Sequence, residues 1–279
     1  MTPDQEFRDY QKKSRKFYNM TSNDEDELLK YFPDKKYFEF LYHVWHGGVS
    51  RDLQKQWDDW RPWEAWTYPI HDLVRYKNIL LNNSDIIKGA KVADIGSHIG
   101  IDVLFALNMG AKHCIGIEPF IEKNRLAAFV CEKAGYGNFD MISGELKQKE
   151  LYQQIKDYDT LILSGLMDMI PDHYRLMDNV ATTGIKNIII EVVEKEEHSR
   201  SEVPNVAWKR YGPDEHGYGP FNPSVETGLH GYPNLAFLKM LLSEFGYEFQ
   251  KQDFFHKIKP ETGETNLRSV SVFKKQDKR

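Results

Sequence analysis

Only two cysteines, Cys114 and Cys131, occur in the 279 residues of this chain. That excludes a disulfide framework and a thiolate-built zinc site, and leaves both as small buried hydrophobes. No apolar run approaches the roughly 18 residues that a membrane span requires. The first twenty residues are polar and charged, which predicts no secretory leader and a cytoplasmic location. Positive charge is not in excess, because 37 Lys and Arg stand against 42 Asp and Glu for a formal net charge of −5. A surface built to grip a polyphosphate backbone calls for the opposite sign. The basic runs Lys12–Lys16 and Lys274–Arg279 lie at the termini, where charge is usually solvated. No G-x-x-x-x-G-K-[ST] occurs, so a P-loop is absent too.

What is present is concentrated in one stretch. Lys91-Val-Ala-Asp-Ile-Gly-Ser-His-Ile-Gly100 is an apolar run that breaks at two glycines and continues as a helical pattern to Met109. A second apolar run, Cys114-Ile-Gly-Ile-Glu-Pro119, ends in an acid 24 residues after Asp94. Strand, glycine turn, helix, strand and acid make a unit in which a ligand meets bare backbone at a helix N-terminus. The distal carboxylate can then accept hydrogen bonds from both hydroxyls of a ribose. The spacing Asp-x-Gly-x-x-x-Gly is not G-x-G-x-x-G, and His98 stands where a middle glycine would admit pyrophosphate. An acid before the first glycine suits a cationic adenosine-containing ligand better than a polyphosphate.

On these residues the chain resembles the class I S-adenosylmethionine-dependent methyltransferases, and the likeness runs over about residues 88 to 275. Asn138–Glu145 looks like the third strand of that fold, Tyr158–Asp168 the fourth and Gly184–Glu191 the fifth. Asn234–Tyr247 looks like the late helix before a terminal pair of strands. The resemblance implies an α/β fold with a seven-stranded Rossmann-like sheet and helices on both faces. It also implies S-adenosylmethionine as cofactor, held by Asp94, Gly96, Ser97, His98, Gly100, Glu118, Pro119, Glu145, Ser164 and Gly165. In that family Glu118 would hold the ribose and Glu145 the adenine amino group.

The first ninety residues carry a different pattern. Helices are expected from Ser22 or Asn23 to about Phe32, from Pro33 to the Gly47-Gly48 stop, over Arg51–Arg61, and from Tyr68 to about Asn82. Residues 1–87 therefore read as an all-helical cap on a core of residues 88–279. Five of the six tryptophans fall between positions 45 and 66. Trp57 and Trp60 have the spacing of a helix packed on a core. Prolines place Trp63, Trp66 and Tyr68 on a loop, where aromatic faces can line a substrate cleft.

A connection at about residues 193–233 is too long for an ordinary turn and reads as a lid that recognises substrate. Its return strand places Tyr232 among the substrate-binding candidates. A hydroxyl, phenol or ammonium acceptor needs a general base, and His71, His173, His198, His216 and His230 are candidates, with His230 preferred. Methyltransferases acting on base amino groups or glutamine amides carry Asp/Asn-Pro-Pro-Tyr/Phe after the fourth strand. Here Ser164-Gly-Leu-Met167 stands there, which argues against those acceptors. The expected activity is methyl transfer to an oxygen or nitrogen of a small molecule, without metal or membrane. His230–Lys239 and the Trp-rich segment also resemble tRNA wobble-uridine carboxymethyltransferases, so tRNA is a second reading. A non-catalytic cofactor-binding protein is a third.

Overall fold

A computed structural model of the chain describes residues 30, 35–47, 50–60, 70–194, 201–210, 229–258 and 265–276. The predicted first helix and Trp63, Trp66 and Tyr68 lie outside these residues, as do His71's side chain, His198 and His216. Eight α-helices are described: α1 Lys35–Gly47, α2 Leu53–Asp59, α3 Ile70–Ile79, α4 Ile101–Asn108, α5 Ile121–Lys133, α6 Lys149–Gln154, α7 His173–Ala181 and α8 Leu235–Glu244. The strands are β1 Lys91–Ile95, β2 His113–Ile117, β3 Phe139–Ile142, β4 Thr160–Ser164, β5 Asn187–Val193, β6 Val206–Arg210, β7 Leu229–Pro233, β8 Tyr247–Ile258 and β9 Thr265–Lys275.

Seven strands form one sheet in the order β3-β2-β1-β4-β5-β9-β8. The pairs from β3 through β5 are parallel, and β9 runs antiparallel between β5 and β8. Parallel strands bury both faces, which is why Val92–Ile95, Ile115–Ile117 and Leu161–Leu163 are nearly unbroken apolar runs. The chain steps outward from β1 to β2 and β3, then returns to lay β4 on the other side of β1. That reversal leaves a crevice at the carboxyl ends of β1 and β4, where ligands of open α/β sheets bind.

Both faces of the sheet are covered. Phe105, Leu126, Ile79 and Phe40 belong to the core on one side, and Leu163, Met177, Leu242 and Phe273 to the core on the other. The helix α4 is buried from Ile101 to Leu107, so its sequence shows little polarity contrast around the axis. Asn234 caps α8 by accepting the Phe237 N–H at 2.9 Å, and Gly246 at φ +77° follows its end.

Two expectations need adjustment. The connection at 193–233 is not structureless: β6 pairs antiparallel with β7, Lys209 opposite His230 and Ala207 opposite Tyr232. The fourth predicted helix ends earlier, at Ile79, and the chain continues as a 3₁₀ segment over Leu81–Ile86. Elsewhere the aromatic reading of Trp57 and Trp60 holds. Phe40 meets both edge-on, at 4.9 and 5.5 Å between centroids, and Trp57 also meets Phe129 of α5. No helix among the described residues is long and apolar enough to cross a membrane.

Burial also sets the cysteine chemistry. It raises the Cys131 thiol to about 12 and moves Cys114 further in the same direction. A thiol held that high presents ~10³-fold less of the reactive thiolate. The native protein should therefore react with a thiol reagent at mildly alkaline pH at least ~10³-fold more slowly than the denatured chain. Fast labelling of either cysteine in the native state would contradict the buried placement.

Candidate cofactor and acceptor site

The turn after β1 is shaped by positive backbone angles. Gly96 (φ +79°) and Gly100 (φ +76°) flank His98, which itself takes φ +50°. A Cβ on Gly100 would lie 2.5 Å from the Cβ of Ala127, so α4 and α5 approach as closely as they do only because that atom is missing. At the end of β2, the Glu118 carboxylate accepts the His98 N–H at 3.2 Å and the Phe120 N–H at 3.4 Å, with Lys123 Nζ 3.5 Å away. Glu118 thus holds the turn while facing the crevice. The His98 imidazole is pushed down to about 3 by burial, then by Lys123 and Arg75, and stays neutral.

A cavity of about 590 Å³ occupies the crevice. This lies within the 300–1,000 Å³ range of small-molecule sites. Gly96, Ser97, His98, Glu118, Pro119, Glu145, Ser164 and Gly165, all expected to hold a cofactor, are brought together in its lining. Gly100 shapes the turn from behind, and Asp94 is buried beneath it at 2% exposure. Glu145 lies three residues beyond the end of β3, paired with Lys147 at 2.7 Å.

The structure adds residues with no motif of their own. Arg75 of α3 and Arg268 of β9 line the far end of the cavity. Between them the fully buried Glu191, on β5, receives one guanidinium on each oxygen: Arg75 Nη2 at 3.1 Å on Oε2, and Arg268 Nη1 on Oε1. Arg75 Nη2 also donates to Ser164 Oγ at 2.6 Å. Burial alone would raise the Glu191 carboxyl, but Arg268 and Arg75 outweigh it and hold it at about 2. Burial likewise opposes charge on Arg75, yet Glu191, with Tyr76 and Asp102, keeps its proton more firmly bound than usual.

Three other acids depart in the opposite sense. Burial, then the neighbouring Asp102, raises Asp94 well above the ordinary carboxylate range, and neither of its oxygens has a hydrogen-bond partner. Burial lifts Asp102 in the first turn of α4 to about 6 despite the nearby Arg75. Asp168, in the 3₁₀ turn Met167–Met169 past β4, is also lifted to about 6, chiefly by burial. A buried carboxylate with neither oxygen hydrogen-bonded, as at Asp94, is costly unless a ligand supplies positive charge.

His230 and Tyr232 stand elsewhere. Both are buried on β7, their rings stacked 6.4 Å apart, and neither lines the cavity, because pairing with β6 and packing on the 167–169 turn enclose them. His173 caps the same region, its Nε2 2.7 Å from the Met167 carbonyl, with Trp208 stacked on its ring. A sequence signal for the missed group did exist. Glu191 ends the fully buried run Ile188–Ile190, and an acid there must find a cation.

No family model matches the sequence. The chain is 28% identical over 172 residues to protein arginine N-methyltransferase 1 of Saccharomyces cerevisiae, covering 56% of this chain and 47% of that protein. It therefore spans about half the length of that curated relative. Among solved structures it is similar to magnesium protoporphyrin IX methyltransferase of Synechocystis PCC 6803 with bound SAM (TM-score 0.52, 13% identity, 86% of this chain and 91% of that one). It is similar also to the N-terminal domain of EvdMO1 with SAH bound (TM-score 0.52, 15% identity, 75% and 82%). These likenesses, with the seven-stranded sheet order, show that the chain has the Rossmann-like fold found in S-adenosylmethionine-dependent methyltransferases.

Proposed function

We propose that this protein transfers a methyl group from S-adenosylmethionine to an oxygen or nitrogen of a small-molecule acceptor, as a cytoplasmic enzyme. One observation carries the reading: a single cavity runs from Glu118 to Arg75 and Arg268, over a buried Asp94 whose carboxylate has no partner. The residues fit the donor. Glu118 suits the ribose hydroxyls, Glu145 the adenine side, and the Gly96–Gly100 backbone the close approach of the chain between them. Arg75 suits the methionine carboxylate, and Asp94 with Asp102 the positive ammonium and sulfonium. Residues 1–87 act as a cap in this reading, contributing Arg75 to the wall.

The donor, when bound, supplies a methyl group already activated for displacement. The protein's share is to align the acceptor and exclude water, and alignment alone can contribute roughly 7–11 kcal/mol. Enclosure by the 164–171 segment, α3 and β9 serves both ends.

Titration calorimetry with S-adenosylhomocysteine tests the donor site. Glu118→Ala removes two ribose hydrogen bonds and loosens the His98 turn, so affinity should fall at least about thirtyfold, or ~2 kcal/mol. A loss under about threefold would sink the ribose assignment. A protein side-chain nitrogen is the second reading, favoured by the match to the yeast arginine methyltransferase. Transfer of labelled methyl to a peptide, but to no small molecule of a panel, would select it.

A further inference from the structure

The two ends of the cavity carry different charge. At the donor end Glu118 pairs with Lys123 and Glu145 with Lys147, so the charges cancel. At the other end Arg75 and Arg268 face Asp102 and Asp168, with Glu191 directly behind the arginines. That is one carboxylate in excess, and two once a bound ammonium holds Asp94 ionised beneath the turn. A methyl donor with an ammonium, a sulfonium and a carboxylate brings a net charge of one and leaves one carboxylate unmatched.

Elimination identifies the unmatched group. Glu191 is saturated by two guanidiniums. Asp94 and Asp102 lie at the end of β1 and the first turn of α4, beside the glycine turn and Arg75. Asp168 is different: it stands past the end of β4 on the cavity wall, and its Oδ1 is sealed from solvent without a hydrogen-bond partner.

The geometry points to Asp168 as a catalytic residue for an amine acceptor, which it binds as the ammonium, deprotonates and holds in line with the methyl group. This rests on the methyl-donor reading above. The balance closes. A proton passes from the ammonium nitrogen to the Asp168 carboxylate, and the freed lone pair forms the new N–CH₃ bond. The C–S bond breaks with its electrons staying on sulfur, and Asp168 later returns its proton to solvent. The surrounding charges suit a base: Glu191 and burial favour protonation, while Arg268 and Arg75 oppose it. The strand β7, packed on the same turn, adds His230 and Tyr232. The carboxyl is thus ionised at neutral pH yet ready to accept a proton. A carboxylate acceptor, which needs no base, would be repelled.

Calorimetry on the full chain, with and without saturating S-adenosylhomocysteine, tests this using benzylammonium, benzyl alcohol and benzoate as probes. Benzylammonium should bind tightest of the three, and Asp168→Asn should weaken it roughly tenfold or more while changing S-adenosylhomocysteine affinity less than about twofold. Lowering the pH from about 7.5 to about 5 should weaken benzylammonium on the wild-type chain by a similar factor, as Asp168 takes up a proton. No benzylammonium binding, tighter benzoate or benzyl alcohol, or an unchanged Asp168→Asn variant overturns the assignment. Should that variant fail to fold, a flat wild-type pH series overturns it alone. Loss of S-adenosylhomocysteine binding by the wild-type chain would instead strike the donor reading, with the probe series without it still reporting on Asp168.

Discussion

Glu191→Gln should be the most destabilising conservative substitution in the protein. The carboxylate is fully buried and holds Arg75 and Arg268 on its two oxygens. Glutamine keeps the shape but removes the carboxylate that the two guanidiniums share, leaving only the more distant Asp102 and Asp168 as counter-charges. Removing one partner of such a cluster costs about 3–5 kcal/mol. For a protein of this size that corresponds to a fall in Tm of roughly 5–9 °C. Thermal or urea unfolding of the ligand-free protein measures it, and a change under about 1 kcal/mol would mean that water already reaches the cluster.

The same cluster sets the pH dependence. Glu191 lies at about 2 in the fold against an ordinary 4.5, so its stabilisation is present above about 4.5 and is lost as pH falls toward 2. Asp102 and Asp168 lie at about 6 against 3.8, so their protonated forms favour the fold at low pH. That contribution is lost as pH rises through about 6. The gain from Glu191 runs from about pH 2 to 4.5 and the loss from the two aspartates from about 3.8 to 6, so together these groups place the stability maximum of the ligand-free protein near pH 4. Saturating S-adenosylhomocysteine should shift the maximum toward neutrality, because a bound ammonium stabilises ionised carboxylates. In Glu191→Gln the loss between about pH 4.5 and 2 should shrink.

The sequence discloses the glycine turn and Glu118 and little of the arginine cluster, for a physical reason. Asp94, Gly96, Gly100 and Glu118 belong to one strand-turn-helix-strand unit, so their geometry is set by neighbours in the chain and leaves a pattern of short fixed spacings. Arg75, Glu191 and Arg268 come from three distant segments, one helix and two strands, that only the packed fold brings together. Nothing local marks Arg268 in the alternating strand Thr265–Lys275, or Asp168 in a three-residue turn. His230 shows the converse: its place at the return of the long connection makes it the preferred base in the sequence, yet pairing with β6 buries it away from the cavity. Trp57 and Trp60 were legible because a packed helix needs only local spacing.

Gly100→Ala should lower both stability and donor affinity, and its neighbours make the reason separable. The added methyl must occupy the left-handed region at φ +76°, at a cost of about 1–2 kcal/mol. It must also sit 2.5 Å from the Ala127 Cβ and 3.4 Å from that residue's Cα. Ala127 has no rotamer to yield, so α4 or α5 has to shift, and overpacking of this kind adds about 1–3 kcal/mol. Gly184→Ala is the control. Its φ is +82°, but nothing lies within 4 Å of the added atom, so only the conformational cost applies. Unfolding should therefore separate the two variants by roughly 1–3 kcal/mol. Because the shift moves the N-terminus of α4, and with it the Gly96–Gly100 backbone, S-adenosylhomocysteine should bind Gly100→Ala at least tenfold more weakly, about 1.4 kcal/mol, while Gly184→Ala binds as wild type. Equal behaviour of the two alanines in both measurements would show that the glycine serves the backbone angle alone, and that the closeness of α4 to α5 is incidental to the cradle.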